Sequence, residues 1–189
     1  MARWHPGAEQ RLRQAALELF QEHGFDDVTV TQIAERAGLT RRSFFRYFPD
    51  KREVLFAGSD QLPPAIADRI RAVPATASPL AAVLDALADI GAQLVERVDG
   101  IVERRAVIEA SPELQERERT KAAAITAAIR AALGERDVDP ASAGLLAEVA
   151  TVTFENAFRQ WVIARGELPF AACLDKVAGT LRDAFAGLD

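Results

Sequence analysis

The sequence predicts an all-α protein of about nine helices, a small N-terminal three-helix unit followed by a larger helical body. Three observations carry that expectation. Alternating runs of strand type are nearly absent, whereas apolar residues recur at helical spacing. Stretches rich in Gly, Pro and capping residues separate the periodic segments. Three later segments open alike, on Ser78-Pro79, Ser111-Pro112 and Asp139-Pro140, a capping side chain before a proline at the first helical position.

Taken in order, Leu12, Ala15, Ala16, Leu19 and Phe20 make the first apolar stripe, and Gly24 supplies its stop. Thr31 to Ala37 reads as a short helix, with Gly38-Leu39-Thr40 as the turn after it. Thr40 caps a third helix from Arg41 to Phe48, which Pro49 ends. Asp50 is expected to cap a fourth helix starting near Lys51, with Val54 and Leu55 facing inward. Pro63-Pro64 should kink or break that helix near Gln61, before it resumes through Ile66 and Ile70. Val73 to Pro79 is a connector. Leu80, Val83, Leu84, Leu87, Gly91, Leu94 and Val98 form the next stripe, interrupted by Gly100. Ile101–Ala110, Pro112–Leu133 and Pro140–Arg165 follow, the last two ended by Gly134 and Gly166. Pro169 opens the final helix, with Phe170, Leu174, Val177, Leu181 and Phe185 on one face.

The 189 residues are 49% hydrophobic and 27% charged, the chemistry of a globular chain with ample core. No apolar run is long enough to span a membrane, and the first residues lack the apolar centre of a signal peptide. The single cysteine, Cys173, has no internal disulfide partner and is expected to be a small core residue. These features point to the cytoplasm. The net charge of −5 divides unevenly: residues 1–52 carry +2 and residues 53–189 carry −7. Within residues 41–52, Arg41, Arg42, Arg46, Lys51 and Arg52 face Asp50 alone. A short basic surface on an acidic body suits local phosphate contact without general stickiness.

Val30–Tyr47 is the most specific segment. Ala34 is the small residue that lets two short helices cross, and Gly38 tolerates the positive φ of the turn. Ile33, Ala37, Leu39 and Phe44 close the crossing, the spacing of a helix-turn-helix. Residues 1–52 are therefore expected to bind double-stranded DNA, and residues 53–189 to form the body. On the third helix Phe44 and Phe48 share an inward face, while Arg42, Phe45 and Arg46 point the opposite way. Arginine forks pair with guanine edges or phosphates, and an aromatic ring can meet a thymine methyl.

Residues 8–56 resemble the N-terminal domain of the TetR (tetracycline repressor) family of bacterial regulators. The matching run is Gly24-Phe25, Thr29-Val30, Ile33-Ala34, Ala37-Gly38-Leu39 and Phe44-Phe45-Arg46-Tyr47-Phe48-Pro49-Asp50-Lys51, then Leu55. The resemblance implies operator contacts from Thr31, Thr40, Arg41, Arg42, Ser43, Phe45, Tyr47 and Lys51. Arg41 and Arg42 are the candidates for base readout, and Thr31, Thr40, Tyr47 and Lys51 for phosphates. The family usually has tyrosine at position 45. Phe45 lacks the hydroxyl that would reach a phosphate, so its role is apolar or it is simply packed.

The Pro140–Arg165 segment is apolar on more than one side, as expected of a helix buried from two directions. With the last helix it is expected to form a homodimer interface through Val149, Val152, Phe154, Phe158, Trp161, Leu174, Val177 and Leu181, as in TetR-like proteins. A two-fold dimer would present two reading heads to a palindromic operator. Polar residues on otherwise apolar body helices are the candidates for a small-molecule effector: Glu103, Arg105, Glu109, Glu155, Asn156 and Arg159. The body holds no histidine, which argues against a histidine-held metal, and no cofactor is expected. No nucleophile–base pair or phosphate-cradling glycine loop points to an enzyme. The expected function is a repressor that releases its operator when an effector shifts the kinked fourth helix. The alternative is a helix-turn-helix regulator governed by a partner protein, or an activator, with no small-molecule inducer.

Overall fold

The structure, a computed structural model, describes residues 7–97 and 100–186. Its helices are α1 (Ala8–His23), α2 (Val30–Arg36), α3 (Arg41–Tyr47), α4 (Leu62–Ala72), α5 (Pro79–Arg97), α6 (Ile101–Ala110), α7 (Pro112–Gly134), α8 (Pro140–Ile163) and α9 (Phe170–Ala186). The described residues contain no strand. The three serine- and aspartate-proline starts behave as the sequence implies. Ser78 Oγ accepts from the Ala81 N–H, Ser111 Oγ from the Leu114 N–H, and Asp139 Oδ1 from the N–H groups of Ala141 and Ser142. Each satisfies donors that a first helical turn leaves without partners. The Ser142 side chain first, and then these main-chain N–H groups, hold the Asp139 carboxyl below the usual carboxylate range.

Between α3 and α4 the chain departs from expectation. Residues 51–58 form successive turns, not a helix, and a short 3-10 turn, Ser59–Gln61, leads into α4. The cause is burial: Glu53, Val54, Leu55 and Phe56 are all buried. Four consecutive residues span more than a full helical turn and cannot share one helix face. Asp50 does bond to main-chain donors, the N–H groups of Arg52 and Glu53, but it closes this turn and caps no helix. Pro63 and Pro64 produce no kink. They sit in the first turn of α4, where a missing N–H removes no intrahelical bond.

The chain divides into two compact units, the first made of residues up to 58 together with 102–118, the second of 59–101 with 119 onward. The first unit is larger than the 1–52 span assigned to DNA binding. Its core joins Leu12, Leu19 and Phe20 of α1, Ile33 of α2 and Phe44 of α3 to Val54, Leu55 and Phe56, and to Val107, Ile108 and Leu114.

The second unit is built from α4, α5, α8, α9 and the later part of α7. Ile70, Leu87, Ile129, Leu133, Phe170 and Leu174 lie at its centre. The inward face of α8 is made largely of Ala143, Ala147, Ala150, Thr151 and Ala157, small residues that let neighbouring helices come close. Gly91 of α5 lies against the ring of Phe170, where a Cβ would overlap the aromatic carbons. Val83, Leu87 and Gly91 of the expected α5 stripe are buried, whereas Leu80 is exposed and Val98 lies outside the described residues. The side chain of Phe185 is likewise outside the description. Cys173 is buried, and burial raises its thiol pKa.

Among the residues expected at a dimer interface, Phe154 and Leu174 are buried in the core of their own unit and are not presented to a partner. Val149, Phe158, Trp161, Val177 and Leu181 are half-buried, and Val152 is 53% exposed. Leu145 and Ile163, outside the expected interface set, are 65% and 74% exposed on α8. Among the described residues, no helix is long and apolar enough to cross a membrane.

Candidate nucleic-acid interface

The interface is assembled from α2, α3 and the turn between them. Thr29 starts α2 as a capping box: its hydroxyl accepts the Gln32 N–H at 3.3 Å, and Gln32 Oε1 accepts the Thr29 N–H at 2.7 Å. The helix therefore begins at Val30, one residue before the Thr31 start read from sequence, which overlooks the Thr-x-x-Gln pattern at Thr29. At the other end Gly38 takes φ +67°. Its N–H reaches Glu35 O at 2.9 Å and the Leu39 N–H reaches Ala34 O at 2.8 Å, the paired bonds of a Schellman motif. Thr40 then caps α3 by accepting the Ser43 N–H at 3.1 Å. Arg36 clamps α2 to α1 through Glu22, with bonds of 3.0 and 2.8 Å that hold the Glu22 carboxyl below its ordinary value.

Fixed in this way, α3 buries Phe44 completely, with Phe48 just beyond its end and 5.4 Å away between ring centroids. Burying one such ring is worth about 1.5–3 kcal/mol. Arg41, Arg42, Phe45 and Arg46 are exposed, Ser43 and Tyr47 half-buried. The guanidinium of Arg41 lies over the Phe45 ring at 5.4 Å, and that of Arg46 over Tyr47 at 4.9 Å, where it also donates to the Tyr47 hydroxyl at 2.9 Å. Arg42 has no ion pair or ring contact among the described residues. Thr31 is exposed on α2, and the Thr40 hydroxyl is shared with that of Ser43 at 3.0 Å.

Lys51 is placed differently from the rest. Its ammonium donates to three main-chain carbonyls, Phe25 O at 2.8 Å, Val28 O at 3.1 Å and Asp26 O at 3.2 Å, and sits 4.2 Å from the centre of the Phe25 ring. An ammonium has three N–H donors. All three are engaged within the chain, so Lys51 ties the loop before α2 to the segment after α3.

The first unit also holds charges that the sequence does not connect to it. Arg117 pairs with buried Glu53, and Arg52 pairs with Asp50 at 2.7 Å and approaches Glu113 at 3.5 Å. The Asp50 carboxyl is held below its ordinary value by the Arg52 side chain first and then by the N–H groups of Glu53 and Arg52, against a desolvation that raises it. Arg104 donates to Leu55 O and lies over Phe56 at 5.2 Å; desolvation pulls its pKa down to about 10, which leaves it charged at neutral pH. No local signal links residues 104 and 117 to residues 53–56, because the pairing spans about fifty to sixty positions of sequence.

The candidate effector residues are divided between the two units. Arg105 bonds Glu109 at 2.7 Å and Glu118 at 2.9 Å within the first unit, where Glu103 is exposed. Glu155, Asn156 and Arg159 belong to the second unit. There Asn156 donates to Val152 O at 2.8 Å and accepts from Arg159 at 3.2 Å, and Glu155 and Arg159 are exposed. Among the described residues no group of three or more His, Cys, Asp or Glu is placed to hold a metal ion.

Comparison with known proteins fits this geometry. Residues 12–57 match the sequence profile of bacterial regulatory proteins of the tetR family. The transcriptional regulator TcmR of Streptomyces glaucescens is 34% identical over 107 residues, covering 50% of this chain and 47% of that one, so the chain spans about half the length of this relative. The fold is similar to that of SmeT in its complex with triclosan, with a TM-score of 0.64 at 18% identity over 92% of this chain and 91% of the other. It is also similar to NalD, the secondary repressor of the MexAB-OprM multidrug efflux pump in Pseudomonas aeruginosa, with a TM-score of 0.62 at 16% identity over 93% and 95% of the two chains.

Proposed function

We propose that the chain, whose residues 12–57 match the tetR family of bacterial regulatory proteins, is a DNA-binding transcriptional repressor of the cytoplasm that releases a palindromic operator when a small molecule binds its second unit. The observation that carries the reading is the outer face of α3. Arg41, Arg42, Phe45 and Arg46 stand exposed on a short helix whose opposite side is anchored by Phe44. An α-helix fits the major groove, and guanidinium forks match guanine edges and phosphates there. In this proposal Arg42 reads a base, Arg41 and Arg46 contact base or phosphate, and Thr31, Thr40, Ser43 and Tyr47 position the head on the backbone. Lys51 acts indirectly, by holding the loop before α2.

The repressor is proposed to act as a homodimer, which supplies the second reading head a palindrome requires. Val149, Val152, Phe158, Trp161, Val177 and Leu181 form the contact, extended by the exposed Leu145 and Ile163. A small-molecule effector is supported by the likeness to SmeT, which was captured with triclosan. An effector releases DNA only through unequal affinity for the bound and released states.

The test is fluorescence anisotropy of the full chain on duplexes selected from a random pool, at two salt concentrations. Affinity should fall steeply with salt. Arg42→Ala should cost about 1–3 kcal/mol on the selected sequence and relax the preference at one position. A protein with no salt-sensitive preference for any duplex would refute the reading. A thermal-shift screen then separates an effector-responsive repressor from one without: compounds that raise the melting point must also release the duplex.

A further inference from the structure

Among the exposed large apolar side chains of the described residues, Phe45 is the one aromatic ring, with 46% of its surface open. It is exposed yet held. Its ring packs edge-on against fully buried Phe44, centroids 5.6 Å apart and planes at 82°, and the Arg41 guanidinium covers it from above at 5.4 Å. At about 100° per residue, Phe45 lies about 40° from Arg41 and about 60° from Arg42 around α3, inside the basic arc and not at its edge. A partner for this ring must therefore be polyanionic and also offer an apolar group. A major groove meets both needs, because the thymine C5-methyl is its apolar feature. A phenylalanine has no hydroxyl to bond a phosphate oxygen.

We propose that Phe45 is a specificity-determining residue that reads the 5-methyl group of a thymine in the operator, an inference resting on the DNA-reading role of α3 proposed above. Because Phe44 and Arg41 already fix the ring, little side-chain freedom remains to be lost on docking. The contact then favours thymine over cytosine through the methyl group.

The experiment uses the full chain and the duplex most enriched from a random pool. Each thymine of that duplex is replaced in turn by uracil, which deletes only the methyl. Wild type should lose about fourfold in affinity at one thymine, or at a symmetry-related pair, the equivalent of one buried methyl-sized group. Phe45→Ala should bind the thymine and uracil duplexes equally. Arg42→Ala should weaken both while keeping the fourfold gap. If Phe45→Ala unfolds, Phe45→Leu takes its place, and the gap should shrink. A wild type indifferent to every uracil, or a gap that survives in Phe45→Ala and Phe45→Leu, overturns the inference while leaving DNA binding intact. A pool from which no duplex is enriched overturns both.

Discussion

Gly38 offers a perturbation whose cost can be worked from the turn itself. A Cβ added there meets nothing within 4 Å, so Gly38→Ala introduces no clash, and its effect is a backbone effect alone. Two responses compete. If the residue keeps φ near +67°, the left-handed conformation costs an L-residue about 1–2 kcal/mol. If it relaxes to negative φ, the bonds from the Gly38 and Leu39 N–H groups break, at about 0.5–1.5 kcal/mol each, and Leu39 leaves its place against Ala34. The first response is the cheaper, so the turn should persist under strain. For a chain of this length about 1 kcal/mol lowers Tm by about 2–4 °C. Calorimetry should therefore find Gly38→Ala less stable by that margin, with Gly38→Asn intermediate because asparagine visits this conformation more readily. Operator affinity in Gly38→Ala should fall no more than a few-fold, since α3 keeps its pose. A variant as stable as wild type, or an asparagine no better than alanine, would refute the account of the turn.

Other outcomes follow from the same geometry. Gly91→Ala should destabilise the second unit by about 1–3 kcal/mol through overlap with the Phe170 ring, partly offset by a helix-propensity gain of about 1 kcal/mol; pairing it with Phe170→Leu should recover stability in a double-mutant cycle. Lys51→Met should lower the melting point by freeing three carbonyls, yet leave the salt slope of DNA binding unchanged, whereas loss of a phosphate contact would reduce that slope by about one. The Asp50 carboxyl has a depressed folded-state pKa. Its contribution is thus complete above its ordinary value of about 3.9 and is lost as pH falls through the lower folded value. Asp50→Asn should be less stable at neutral pH and show a shallower decline in Tm on acidification.

The reading head was largely legible because its constraints are local. Ala34, Gly38, Thr40 and Pro49 each act on residues within a few positions, so the turn, the cap and the helix end could be read one by one. The same local logic misjudged residues 51–64. Asp50 beside Lys51 has the pattern of a helix start, but burial of Glu53 through Phe56 against α6 and α7 overrides it, and that burial has no signature in the segment itself. Lys51 reads as a phosphate contact because charge is visible in a sequence, whereas its three main-chain carbonyl partners are not. The residues proposed for an interface on α8 and α9 are separable only in part: hydrophobicity marks Phe154 and Val152 alike, and only packing shows that the first belongs to the chain's own core.

The first unit is closed by residues from two separated stretches of chain, and this has a consequence for synthesis. When residue 58 leaves the ribosome, Val54, Leu55 and Phe56 have no Ile108 or Leu114 to cover them. About sixty more residues must follow, several seconds at the usual pace of about 5–20 residues per second. Until then the nascent head carries a hydrated apolar seam, a natural landing place for a chaperone.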